Sequence, residues 1–76
     1  MLAPRTETIL VQDERSMRRA TECATRWMRA QPDHAPGRQY GFIVGAAPDG
    51  RIILGGIPAE ALPAIRRAGV DFELTH

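Results

Sequence analysis

The chain predicts an α+β sandwich with element order βαββαβ. Three observations predict it. A long amphipathic helix pattern lies between two apolar, strand-like runs. A Pro-Asp-Gly turn folds two apolar runs into a hairpin. A second, proline-rich helix pattern leads into a last segment where apolar and acidic residues alternate.

Residues 5–12 read RTETILVQ. Thr6, Thr8, Ile9 and Val11 favour extended backbone. The unbroken run Ile9-Leu10-Val11 suits a central strand. Asp13 then stands at an N-cap position, with Glu14 in the first turn beside the positive end of the helix dipole. From Glu14 to Ala30, a spacing of about 100° per residue puts Met17, Ala20, Ala24, Trp27 and Met28 on one face, with Cys23 flanking it. Arg15, Arg18, Arg19, Glu22, Arg26 and Arg29 fall on the opposite face. Arg18–Glu22 and Glu22–Arg26 have i,i+4 spacing, worth about 0.2–0.5 kcal/mol each.

Pro32 ends that helix, and QPDHAPGRQ reads as loop. Tyr40 to Ala46 and Arg51 to Gly55 are apolar arms joined through Pro48, Asp49 and Gly50. Their order suits a type I turn closed by a left-handed glycine. Gly55-Gly56 is expected to release the chain from the sheet. Pro58 suits the start of a helical segment. Pro63 disfavours a regular helix running through it, so an irregular turn is expected at 59–62 and a helix at 63–68. Gly69 followed by Val70 is a helix stop of the Schellman kind. In VDFEL, Val70, Phe72 and Leu74 should face the core, and Asp71 and Glu73 water. That is an edge strand.

A right-handed crossover in each βαβ unit, with the hairpin arms adjacent, closes these elements as strand order 4-1-3-2. This is the ferredoxin-like layout: a four-stranded antiparallel sheet with both helices on one face. Residues 1–76 form one α+β domain. The other sheet face has no cover within the chain. Leu10, Ile43 and one of Ile52 or Ile53 are expected there.

Composition narrows the chemistry. The 76 residues carry a net charge of +1, so the whole molecule has no strong attraction to nucleic acid or membrane. Cys23 is the single cysteine, which excludes an intrachain disulfide and a cysteine zinc cluster and fits a reducing cytoplasm. No long apolar run or secretory leader pattern is visible. The ten basic residues are all arginine, and Ser16 is the one serine. Without lysine there is no phosphate-loop lysine and no Schiff base. The glycines fit no GxGxxG or GxxxxGK frame. His34 and His76 each stand without a second ligand. Asp71 and Glu73 look like a wet strand edge rather than an acid–base pair. Aromatics for stacking RNA bases are missing from RIILG, although Tyr40 and Phe42 lie on the neighbouring arm. The expectation is a non-enzyme with no cofactor and no metal.

The most distinctive surface feature is the arginine face, Arg15, Arg18, Arg19, Arg26 and Arg29. It could contact an acidic protein or a phosphate backbone. The plainer reading is a solvated helix face in an arginine-rich chain. Charge asymmetry favours the feature: residues 1–38 carry seven arginines and five acids, residues 39–76 three arginines and four acids.

In size, layout and lack of catalytic motifs, the chain resembles the small phage-encoded anti-CRISPR proteins. The resemblance implies steric inhibition of a nucleic-acid-guided complex through a charged or apolar surface, and it assigns no residue a role. The expected function is a non-enzymatic protein-interaction module that masks a surface on a larger, nucleic-acid-handling partner. Two rival readings stand beside it. One is a weak nucleic-acid binder using the arginine face. The other is a regulatory domain that dimerises through its sheet face.

Overall fold

The computed structural model describes residues 5–31 and 41–75. The elements are β1 (Thr6–Val11), α1 (Glu14–Arg29), β2 (Ile43–Ala46), β3 (Ile52–Pro58), a 3-10 turn (Ala59–Ala61), α2 (Leu62–Arg67) and β4 (Phe72–Leu74). The strands form one antiparallel sheet in the order β2-β3-β1-β4, which is the expected order read from the other side. β1 and β3 are central. The layout is ferredoxin-like.

Local chemistry sets the boundaries. Asp13 caps α1: the Ser16 backbone N–H donates to its Oδ1 at 2.8 Å. That bond favours the charged carboxylate and holds its pKa below the usual aspartate value. The hairpin turn forms as expected. Gly50 has φ +90°, and the Ala47 N–H donates to the Arg51 carbonyl at 2.8 Å. Tyr40, His34 and His76 lie outside the described residues. Pro63 falls in the first turn of α2, where a missing N–H is tolerated. The helix therefore starts one residue earlier than expected. At its end, Gly69 N–H donates to Arg66 O and Val70 N–H to Ile65 O, with Gly69 at φ +87°. This is the Schellman pattern, closed by buried Ile65 and Val70.

Cross-strand register decides which residues share a face. Ile9 opposes Leu54 and Val11 opposes both Ile52 and Phe72. Ile9, Val11, Leu54, Ile57 and Phe72 pack with Ala20, Ala24 and Met28 of α1, Ala61 of the 3-10 turn and Ile65 of α2. Both helices thus cover one face, and the core lies between. Leu10, Ile53 and Ile43 point to the other face, while Ile52 sits on the covered side.

Two expectations are corrected. Gly55-Gly56 does not release the chain; β3 runs on to Pro58. The register shifts between Glu7 and Ile9, so both glycines oppose the single residue Thr8 as a β-bulge. The extra residue returns Ile57 to the covered face, three positions after Leu54. Gly56 is required twice over: its φ is +81°, and a Cβ there would lie 2.7 Å from the Gly41 carbonyl oxygen. Second, Leu74 is 45% exposed rather than buried. The row Val44–Leu54–Ile9–Leu74 explains why. The helices cover the two central strands, and both ends of the row, Val44 as well as Leu74, emerge at the sheet edges. Trp27, on the apolar face of α1, is partly buried and packs against the core.

Candidate functional site

Arg15, Arg18, Arg19, Arg26 and Arg29 are all exposed. They span an arc of about 100° on α1, directly opposite the Ala20–Ala24–Met28 stripe. The core anchors one side of the helix, and the pitch then fixes where the arginines stand. Their pairing differs from expectation. Arg18 Nη2 meets Glu14 Oε1 at 2.8 Å, not Glu22. Both side chains are about two-thirds exposed, so this pair contributes little. Arg15, Arg19, Arg26 and Arg29 have no ion-pair partner among the described residues.

The ridge has two flanks. Toward α2, Arg19 extends along the helix stop; a Cβ at Gly69 would lie 3.9 Å from Arg19 Nη1. Exposed Arg66 and Arg67 occupy the last turn of α2, where the helix dipole favours cations. Arg66 also sits over the Phe72 ring, 4.4 Å from its centroid. Toward β2, Thr21, Glu22, Thr25, Arg26, Arg29 and Phe42 line an open depression.

The uncovered sheet face carries a second cluster. Leu10 and Ile53 are half-buried and Ile43 is 73% exposed. Arg51, just ahead of β3, crosses this face to β4. Its Nη1 meets Glu73 Oε2 at 2.9 Å, and its Nε meets Asp49 Oδ2 at 2.8 Å. Glu73 and then Asp49 raise the Arg51 pKa. Hydrogen bonds from Arg51, its backbone N–H foremost, hold Asp49 below the usual range. Glu73 faces water, as its place in the alternating segment predicts, while the sequence alone gives Arg51 no partner. The parity that puts Ile53 and Glu73 on one face also puts Arg51 there, and that signal was available.

No helix among the described residues is long and apolar enough to cross a membrane. No three His, Cys, Asp or Glu side chains among them gather where they could hold a metal ion. Cys23 is partly buried against the core. The class defined so far is a small α+β domain of ferredoxin-like layout with an arginine ridge on its first helix. No protein-family model, curated protein or solved structure matches the chain.

Proposed function

We propose that the chain is a non-enzymatic interaction module whose α1 ridge binds an acidic protein surface. One observation carries this reading: four guanidinium groups of one helix face solvent together without a carboxylate partner among the described residues. A group of like charges on a rigid helix raises association rates with an acidic partner and selects against basic ones. Arg66 and Arg67 extend the same sign of charge at the end of α2. In biological terms the reading is an inhibitor that masks a larger, nucleic-acid-handling complex, in the manner the anti-CRISPR resemblance implies.

The test is survival of a targeted plasmid in cells that express a nucleic-acid-guided nuclease together with this chain. Protection is expected, and Arg18→Glu with Arg26→Glu should abolish it while far-ultraviolet circular dichroism stays unchanged. A folded double variant that protects as well as the wild type removes the ridge from the mechanism. Absence of protection across nuclease types removes the inhibitor reading. A mobility shift with arbitrary duplex DNA that weakens steeply with salt would favour nucleic acid as the partner instead.

A further inference from the structure

The sheet has two edges, and they are built differently. β4 is three residues long and carries Glu73, with Asp71 just before it. Shortness and charge are standard protections against unwanted strand pairing. β2, Ile-Val-Gly-Ala, carries no charge, no proline and no bulge. Ile43 is 73% exposed on one of its faces and Val44 is 55% exposed on the other. Its backbone is open as well among the described residues. The Ala47–Arg51 hydrogen bond and the antiparallel alternation turn Ile43 and Gly45 inward to β3. Val44 and Ala46 therefore aim their N–H and C=O groups outward, where they have no backbone partner among the described residues.

We infer that β2 pairs antiparallel with β2 of a second copy, joining two four-stranded sheets into one continuous sheet. A second copy fits this edge better than a charged partner strand, because an uncharged strand meets its own copy without repulsion. Asp49, the nearest acid along the chain, is already neutralised by Arg51. The register that uses only the outward groups of β2 pairs Val44 with Ala46 of the second copy and puts Gly45 on the two-fold axis. That central pair is the closely spaced kind, about 4.5 Å between Cα atoms, and glycine leaves it unobstructed. The open sheet face is the poorer surface for self-association, since stacking it would bury the Arg51–Glu73 bridge. A short strand pairing buries less than the roughly 1,600 Å2 of a standard interface, so the dimer is weak and concentration-dependent. Opposed residues share a face, so both α1 ridges lie on the same side of the joined sheet. An acidic partner would then be engaged at two points. That consequence rests on the proposed function; the strand pairing does not.

Sedimentation of the full chain over a range of concentrations, with amide hydrogen exchange, tests the pairing. Self-association is expected, with the Val44 and Ala46 amides gaining protection as concentration rises. The Ile43 and Gly45 amides, already bonded to β3, should not change. Val44→Asp sets like charges close to the axis and should weaken association by about tenfold or more. Leu74→Asp, a matched change at the other edge, should not. A chain that stays monomeric at sub-millimolar concentration overturns the inference. So does a dimer that survives Val44→Asp, or one that is lost on Leu74→Asp instead.

Discussion

Ile53 and Leu54 are neighbours in one central strand and live in different surroundings. Leu54 is fully buried between β1 and the helices, whereas Ile53 lies half-exposed beside Leu10 on the open face. The same contrast holds for Ile9 and Leu10 across the ladder. Hydrophobicity does not separate the two members of either pair; the pleat does. In a 76-residue domain with two helices, one sheet face supplies most of the apolar burial and the other is left for solvent or a partner.

The sharpest break of that comparison is Leu54→Ala against Ile53→Ala. The first should cost about 2–5 kcal/mol, the range for a fully buried leucine, because a cavity opens where strand and helix surfaces meet. The second should cost clearly less, since water already reaches the side chain. Urea unfolding of both variants measures the difference. Equal losses would mean that the open face is covered in solution, as it would be in a face-to-face dimer.

Gly56→Ala tests the device that switches the faces. Downstream of the bulge the burial phase shifts by one, so Ile57 joins Leu54 in the core. Alanine at φ +81° is strained, and its Cβ would meet the Gly41 carbonyl oxygen at 2.7 Å. A loss of about 2 kcal/mol is expected, from backbone strain together with displacement of the segment entering β2. Gly50→Ala is the control. It shares the positive φ, but nothing lies within 4 Å of the added methyl. It should therefore cost less, and a larger loss there would assign the effect to φ alone.

Much of the layout was legible in the sequence because each element brought its own local signal. Asp13 marks the start of α1, the Pro-Asp-Gly turn marks the hairpin, and Gly69-Val70 marks the end of α2. What was not legible depended on cross-strand register. RIILGG has no alternation to show which isoleucine faces inward, and a glycine pair reads equally well as strand exit or as bulge. Leu74 follows the right parity for burial, yet the cover that buries Phe72 on the same strand does not extend to it. The arginine ridge was visible as a helical stripe. Its ion pairing was not, because Glu14 and Glu22 are both four residues from Arg18 and rotamers decide between them.

Acid should act on the start of α1 and on the β2–β3 turn through carboxylates that the fold holds in charged form. Asp13 and Asp49 both have lowered pKa values in the native state. Their stabilising contributions are therefore full above the unfolded aspartate value of about 3.9 and are lost as pH falls through the lowered native values. Asp13→Asn keeps a good N-cap without the charge. It should leave the neutral-pH melting temperature nearly unchanged and flatten its decline below pH about 4. A decline as steep as the wild type's would place the acid sensitivity elsewhere.

The smallest expected effect concerns the bridge over the open face. Arg51, just ahead of β3, reaches Glu73 on β4, and both side chains retain solvent contact, at 33% and 70% exposure. Such a pair gains little in high dielectric and is screened by salt. A double-mutant cycle with Arg51→Gln and Glu73→Gln should give a weakly favourable coupling that shrinks as ionic strength rises. The asymmetry between the single variants is more informative. Arg51→Gln also removes the guanidinium that meets the Asp49 carboxylate, so it loosens the hairpin turn as well as the link to β4. Glu73→Gln leaves that turn intact. Arg51→Gln should therefore lower the melting temperature more, and the excess should vanish in an Asp49→Asn background. If the excess persists there, Arg51 stabilises the open face through contact of its aliphatic stem with the sheet rather than through its charge.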